Sequence, residues 1–379
     1  VQIVVGAAIV RAGELLACRR STPAEVAGGW ELPGGKVEPG EDERAALVRE
    51  CREELGCAII AGERLGPDVP IGDRYVLRAY HAHLAPESKE PAPGPEHDQL
   101  RWLQPEQLDE VDWLPADRPL ITELADSLLD GDQLAGGQVG GAVRIGDTVR
   151  RPVGPWTPTI HALLAHLAAE NVTGIPRVHG IDARGREILE LLPGRTTGNG
   201  RPPWADADEL LADVGRWLAT YHEAVRTFRP ESPVWRSGAR PIGPDELVCH
   251  NDLAPYNVVA TETDPPRLHG VLDWDVAGPG KPIDDVAFAA WSFVAPYDAK
   301  QGEAARRLHV LAEAYGRFTA EELLEAAPIR MNRALERIRA GAARGDEGMQ
   351  RLIDGTEVRL TEERLARLEI RTAEIRAAL

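Results

Sequence analysis

Residues 34–57 read Gly34-Gly35-Lys36-Val37-Glu38-Pro39-Gly40-Glu41, then seven residues, then Arg49-Glu50-Cys51-Arg52-Glu53-Glu54-Leu55-Gly56-Cys57. The glycines and proline of the first half mark a turn. The second half has helical composition, and positions 50, 53 and 54 are spaced i, i+3 and i+4, so three carboxylates share one helical face. Like charges so placed repel and weaken an isolated helix unless a cation neutralises them. Hard divalent ions with oxygen ligands, magnesium or manganese, suit that face. Three glutamates alone also read as a solvated acidic surface; the glycine turn directly before them favours the ion.

On either side of this segment lie β-rich runs: QIVVGAAIV from Gln2, LLACRR from Leu15 and YVLRAYHAHL from Tyr75. Apolar-periodic LITELADSLL follows from Leu120. This pattern predicts an α+β or sandwich-like first domain closing near Ser127. Between Asp130 and Gly141 the composition shifts to GDQLAGGQVGG, and hydrophobic periodicity is lost. We therefore expect domains at 1–127 and 138–379 with a linker at 128–137, in keeping with 379 residues at roughly 150 per domain.

Lys and Arg number 43 against 61 Asp and Glu, a net charge of −18. That balance opposes stable nucleic-acid binding but admits a free nucleotide carried with magnesium. No apolar run approaches the ~20 residues of a membrane span. The apolar start lacks a basic region, reads as a strand and points to the cytoplasm. Cys18, Cys51, Cys57 and Cys249 have no CxxC spacing and read as structural thiols. Oligomeric state is not legible.

The string Gly35, five residues, Glu41, seven residues, Arg49-Glu50-Cys51, Glu53-Glu54, Gly56-Cys57 fills every constrained position of the Nudix signature. The first 126 residues resemble Nudix hydrolases. The resemblance implies an α/β/α sandwich that cleaves a nucleoside diphosphate linked to another group. It implies metal ligation by Glu50, Glu53 and Glu54 with the Gly34 carbonyl nearby, and an Arg49–Glu41 ion pair that orients the helix. Glu53 and Glu54 are the expected catalytic carboxylates, with Glu53 as the base that takes the proton of a metal-activated water.

Cys18-Arg19-Arg20, Trp30-Glu31-Leu32-Pro33 and Trp113-Leu114-Pro115-Ala116-Asp117-Arg118-Pro119 resemble the MutT branch. That branch converts nucleoside triphosphates to monophosphates and pyrophosphate; ADP-ribose or a nucleotide sugar is the rival substrate. Arg19 or Arg20 with Lys36 would bind phosphate oxygens, or the arginine pair is a solvated strand edge. Asp117 stands where the branch often has an asparagine that reads the base. A carboxylate accepts hydrogen bonds, so an exocyclic amine is its natural partner, and cytosine, guanine and 8-oxoguanine stay open. Glu96 and His97 either reach the metal site or are polar loop residues.

A second constellation begins at Val248-Cys249-His250-Asn251-Asp252 and places Asn257 five residues after Asp252. Asp273 follows Asp252 by 21 residues, behind the apolar run Leu268-His269-Gly270-Val271-Leu272. A carboxylate for the acceptor hydroxyl plus two oxygen ligands for magnesium is the set that phosphoryl transfer needs. The pattern resembles the aminoglycoside phosphotransferase and choline kinase family, whose His-Gly-Asp is His250-Asn251-Asp252 here.

The second resemblance implies a bilobal α+β kinase-like fold with a reduced amino lobe and ATP as co-substrate. Asp252 would position the acceptor hydroxyl, Asn257 and Asp273 would hold magnesium, His250 would buttress the loop, and Asp285 would be structural. Leu192, in Leu191-Leu192-Pro193-Gly194, resembles the lobe connector whose backbone receives adenine, and Gly136–Gly141 would cover phosphates. From residue 136 onward the lysines are Lys281 and Lys300, both beyond the catalytic loops. Arg150 is thus the expected substitute for the family's phosphate-binding lysine, although arginine is bulkier and not equivalent. Histidine at 161 or 166 stands where a partner glutamate is usual. The rival reading is a pseudokinase-like binding module that has lost transfer.

Overall fold

The computed structural model describes residues 1–134, 141–198 and 200–379. Packing divides them into two compact units. One holds Val1–Leu134, Ala142–Arg150 and Asp182–Arg184; the other holds Arg151–Ile181 and Gly185–Leu379. Residues 142–150 thus pack with the first unit, on the far side of the break expected at 128–137. The glycine loop expected to cover phosphates lies, over residues 136–140, outside the described residues.

In the first unit, β1 (Gln2–Arg11), β2 (Glu14–Arg20), β3 (Trp30–Glu31) and β4 (Gly34–Lys36) precede α1 (Glu43–Leu55). Then come β5 (Ile59–Ile71), β6 (Tyr75–Leu84), β7 (His97–Leu103) and α2 (Arg118–Leu128). The sheet runs β3-β2-β1-β6-β5, with β4 also on β1 and β7 on β2. β1 and β6 are parallel; the other pairs in this sheet are antiparallel.

β1 is apolar at consecutive positions because both its faces are covered. Val5, Ala7 and Ile9 pack with Leu47, Cys51 and Leu55 of α1, while Ala8 packs with Leu120, Ile121 and Leu124 of α2. Helix–sheet–helix layering follows from that alternation. α1 starts where Asp42 accepts the Arg44 and Ala45 N–H groups at 3.0 and 3.2 Å, and stops at Gly56, whose φ of 65° suits glycine. Full burial of a leucine contributes roughly 1.5–3 kcal/mol. Carboxylate repulsion on a helix costs only some tenths of that. Packing of its apolar face therefore holds α1 in spite of its acidic one.

After β8 (Asp132–Gln133), β9 (Val143–Ile145) and β10 (Thr148–Arg151) form an antiparallel pair. The second unit holds α3 (Thr157–Ala169), β11 (Val178–Ile181), β12 (Glu187–Glu190) and α4 (Asp208–Ala224). Two short strands, β13 (Val234–Trp235) and β14 (Gly238–Ala239), precede β15 (Leu247–Cys249), β16 (Val258–Ala260), β17 (Leu268–Val271) and β18 (Gly278–Gly280). Helices α5 (Pro282–Ala289), α6 (Gln301–Tyr315), α7 (Ala320–Ala343), α8 (Glu347–Asp354) and α9 (Glu357–Arg376) close it.

One apolar core joins Leu218 and Tyr221 of α4, Leu311 of α6 and Met331 of α7 to the strands. The C-terminal helix α9 is not merely a solvated surface: its Leu368 and Ile375 are fully buried in that core. Among the described residues no helix is long and apolar enough to cross a membrane. All four cysteines are buried and unpaired.

Candidate functional site

The turn before α1 brings backbone against its carboxylates. Gly34 pairs with Gly6 in the β1–β4 ladder at a φ of 155°, and a Cβ there would collide with the Val5 carbonyl. Its N–H donates to Glu54 Oε2 at 3.3 Å. A side chain at Gly35 would run into the Glu50 carboxylate, so the two glycines form a cradle for the acidic face.

The three glutamates differ in exposure. Glu54 is buried at 8 %, whereas the Glu53 side chain is 61 % exposed and that of Glu50 15 %. Arg49 ties them together: it donates to both Glu41 oxygens at 3.0 Å, to Glu50 at 2.9 Å, to Glu53 at 3.4 Å and to the Lys36 carbonyl at 3.2 Å. The expected Arg49–Glu41 pair is therefore in place.

Burial, with Glu96 and Glu31 nearby, pushes Glu54 up to about 7, against the opposing pull of His97. So much anionic oxygen around one half-enclosed point is the donor chemistry of a hard divalent cation. The residues present fit magnesium or manganese.

Arg19 and Arg20 separate at a bulge in the β2–β7 pairing. Arg19 is held on exposed Asp98 at 2.7 and 3.1 Å, while Arg20 donates to Glu31 at 2.8 Å and to Glu96 at 2.5 Å. Buried His97 meets the same Glu31 oxygen at 3.0 Å. Glu31 is the residue that sequence reasoning passed over, although an acid between the apolar Trp30 and Leu32 was a signal of burial. Lys36 stands over the Tyr75 ring at 5.2 Å.

The two tryptophan motifs meet in space: Leu114 N–H donates to Trp30 O at 2.7 Å, and Leu32 N–H to Asp117 Oδ1 at 3.0 Å. Asp117 is 4 % exposed, and burial pushes its carboxyl up to about 7.

In the second unit β15 leads into His250, and the β16–β17 hairpin returns the chain to Asp273. Asn257 donates to the Asp252 carbonyl and to its Oδ2, both at 2.9 Å, and Tyr256 donates to Oδ1 at 3.0 Å. The Asn257 carbonyl accepts Leu272 N–H at 2.8 Å, and His250 Nε2 meets the Leu272 carbonyl at 3.0 Å. These bonds draw Asp252, Asn257 and Asp273 into one place. Burial and the Asp273 charge push Asp252 up to about 7. An oxygen-rich set of two aspartates and an amide suits magnesium.

Asn251 has a φ of 69°, a left-handed conformation in which asparagine is enriched, so it replaces glycine with little strain. Its amide lies 3.3 Å from each of the Cys249, Val276 and Gly278 carbonyls. Asp285 is fully buried and accepts from His250 N–H and Asn251 N–H, each at 2.7 Å, with His222 Nε2 at 3.1 Å. Among the described residues a tight trio of candidate metal ligands also falls here, His222, Cys249 and Asp285. Each already has a protein partner, including Tyr315 for His222 and the Lys281 carbonyl for Cys249, which marks a structural network.

Arg150, expected to replace the lysine, pairs with Glu106 and not with Asp273. Strand parity turns Arg150 to the side of Thr148, where it is buried and donates to Glu106 at 3.0 and 3.1 Å within the first unit. Arg151, on the other face of β10, reaches Asp273 at 3.1 Å and Asp275 at 2.9 Å, with Glu187 at 3.7 Å. Glu187 of β12 meets His161 Nε2 of α3 at 2.9 Å and stands beside Arg151. Period-two alternation in Val149-Arg150-Arg151 carried that signal. Leu192 lies against Gly270, and Arg195 exchanges two 2.9 Å backbone bonds with Ala260, so the segment runs along the hairpin that carries the loops.

The family model of the NUDIX domain matches residues 1–124, and that of the phosphotransferase enzyme family matches residues 231–323. Over 130 residues the chain is 48 % identical to the "Putative 8-oxo-dGTP diphosphatase 2" of Mycobacterium tuberculosis, covering 34 % of this chain and 90 % of that protein. It is 40 % identical over 120 residues to the CTP pyrophosphohydrolase of Escherichia coli, covering 31 % and 87 %. It is 35 % identical over 170 residues to the trifolitoxin immunity protein of Rhizobium leguminosarum bv. trifolii, covering 44 % of this chain and 62 % of that protein. The MutT NUDIX hydrolase crystal structure from Burkholderia pseudomallei is 34 % identical over 32 % of this chain and 97 % of its own, with a TM-score of 0.29.

Proposed function

Because the chain belongs to the NUDIX family through residues 1–124 and matches the phosphotransferase enzyme family over residues 231–323, we propose that it is a bifunctional enzyme with one reaction in each region. The first, residues 1–127, hydrolyses an 8-oxo-dGTP or CTP type of nucleotide to monophosphate and pyrophosphate. The second, residues 138–379 beyond a linker at 128–137, transfers the γ-phosphoryl group of ATP to a small-molecule hydroxyl.

The observation that carries the first activity is the single guanidinium of Arg49 holding Glu41, Glu50 and Glu53 beside buried Glu54. Bound magnesium would polarise phosphate oxygens and acidify a water. Glu50 and Glu54 would hold the ion from the inner side of α1. Glu53 faces solvent and takes the proton of the attacking water. Arg20 binds phosphate oxygens as one of its carboxylate partners yields, and Lys36 adds charge at the edge. Asp117, behind Leu32, faces the base as a hydrogen-bond acceptor.

For the second activity Asp252 accepts the proton of the acceptor hydroxyl as that oxygen bonds to the γ-phosphorus. The bond from the γ-phosphorus to the β–γ bridging oxygen breaks and ADP leaves. Asn257 and Asp273 would hold magnesium, Arg151 serves the phosphates in place of lysine, and the chain around Leu192 receives the adenine. A second reading, a binding module without transfer, is favoured by one contact: Arg151 sits on Asp273 at 3.1 Å, where the ion is needed.

Chromatography of the products from 8-oxo-dGTP, CTP, ADP-ribose and ATP, with the full chain and magnesium, tests both activities. Monophosphate and pyrophosphate from 8-oxo-dGTP or CTP, abolished in Glu54→Gln, is the expected result. Cleavage of ADP-ribose alone would overturn the triphosphate assignment, and absence of ADP with every acceptor would favour the binding module.

A further inference from the structure

Beside the catalytic loop of the second unit lies a cavity of about 500 Å³, walled by Asn251, by β18 and by α7. Its walls carry seven cationic side chains against four carboxylates, in a chain whose net charge is −18. Three of those carboxylates are already matched. Glu246 binds Arg240 at 2.7 Å, Asp346 binds Arg236 at 2.7 Å, and Asp284 binds Arg333. Among the described residues Lys281, Arg330, Arg337 and Arg344 have no carboxylate within ion-pair distance. A surplus of positive charge is concentrated in one concave place.

Arg330 and Arg337 are the informative pair. Arg330 is 3 % exposed and donates to the Asn251 carbonyl at 2.8 Å and to the Asp284 carbonyl at 3.1 Å. Arg337 approaches the same Asn251 carbonyl at 3.3 Å, and its Nε is buried with no hydrogen-bond partner. Two guanidiniums crowded on one carbonyl repel, and burial with Arg330 pushes Arg337 down to about 10. Both guanidiniums have carbonyl partners but, among the described residues, no carboxylate, so their crowded positive charge is relieved when something of opposite sign arrives. Asn251, whose carbonyl both guanidiniums meet, lines the cavity and directly precedes Asp252, so the cavity lies one residue along the chain from the proposed acceptor carboxylate.

We propose that the acceptor bound next to Asp252 is anionic, a small hydroxylated molecule whose phosphate or carboxylate is held by Arg337, Arg330 and Arg344. Planar guanidiniums are suited to bidentate recognition of such oxyanions. The proposal rests on the phosphotransferase reading for its acceptor role; the cavity's preference for anions stands apart from it. A cationic acceptor, which the chain's acidic balance alone would suggest, is disfavoured by the local charge.

The test is calorimetric titration of the full chain with sn-glycerol 3-phosphate, glycerate, glycerol and choline. EDTA is present throughout, so that the α1 glutamates cannot recruit phosphate through an ion. Binding of the phosphate or carboxylate compound, and not of glycerol or choline, is expected. Arg337→Ala and the exposed Arg344→Ala should each weaken it by roughly tenfold or more, as lost charge-assisted bonds do, while Arg337→Lys retains most of it. Should Arg337→Ala fail to fold, Arg344→Ala and Arg337→Lys carry the test. Binding of choline or glycerol as tight as that of the anions, no binding of either anion, or unchanged titration of the arginine variants would overturn the proposal. A separate ATP–magnesium titration with ADP detection keeps the outcomes distinct. Anion binding without ATP binding removes the kinase reading and leaves the anion site, and the reverse pattern does the opposite.

Discussion

Asp117→Asn is a substitution whose effect on stability must change with pH. The carboxyl is 4 % exposed, accepts Leu32 N–H at 3.0 Å, and is pushed by burial from 3.8 up to about 7. Below pH 3.8 both folded and unfolded forms are protonated, and the carboxyl makes no difference. Between 3.8 and about 7 the unfolded form ionises first, so stability falls as pH rises; above about 7 the loss is complete. One pKa unit is about 1.36 kcal/mol, which sets a ceiling of roughly 4 kcal/mol at pH 8. Asparagine keeps the acceptor for Leu32 but must bury an amide, an offset of roughly 1–3 kcal/mol. A net gain of about 1–3 kcal/mol is expected at pH 8 and a net loss of about 1–2 kcal/mol at pH 4, where the ionisation cost has almost vanished and the amide offset remains. Hydrogen exchange of peptides covering α2, corrected for intrinsic rate at each pH, reads the opening free energy of this region without requiring the two units to unfold together. Equal effects at both pH values, or destabilisation at pH 8, would refute a buried ionised carboxylate. The same variant tests base reading, because an amide can donate where a carboxylate only accepts. Relative kcat/KM for 8-oxo-dGTP and CTP should shift at least several-fold.

Glu41→Gln removes half of the clamp on Arg49, so kcat for pyrophosphate release should drop roughly 10–100-fold, as loss of an orienting partner does, with KM nearly unchanged in steady-state assays. Glu53→Gln should lower kcat by roughly 10²–10⁴ while circular dichroism stays that of the parent; near-normal turnover would remove it as the base. Asp285→Ala orphans two backbone N–H groups and His222, and should cost the second unit roughly 3–5 kcal/mol; denaturant titration with pyrophosphate release as a parallel readout should show the first activity persisting past loss of ATP binding. Arg151→Ala should weaken ATP–magnesium binding if this arginine serves the phosphates, and strengthen it if the guanidinium competes with the ion for Asp273, a difference that calorimetry decides by sign.

Much of both sites was local in the chain and therefore legible. Helical spacing placed Glu50, Glu53 and Glu54 together, and turn chemistry set Gly34 and Gly35 before them. The five-residue step from Asp252 to Asn257 is closed by bonds within one loop. Apolar runs located the strands around them, and the parts of the sequence that resemble known families carried the chemistry.

What tertiary structure decided was which of two adjacent like residues meets a site, and which distant charge meets it. Arg20 rather than Arg19 joins Glu31 and Glu96, and Arg151 rather than Arg150 joins Asp273. The reason is parity: neighbouring strand residues point to opposite faces, and the register that chooses a face is imposed by partner strands far along the chain. The convergence of Arg330 and Arg337 on Asn251, about 80 residues away, has the same origin, since long charged side chains are placed by the packing of α7 and not by any local pattern. Sequence by itself determined the two families that this chain resembles; only the folded packing determined the side chains that surround their motifs.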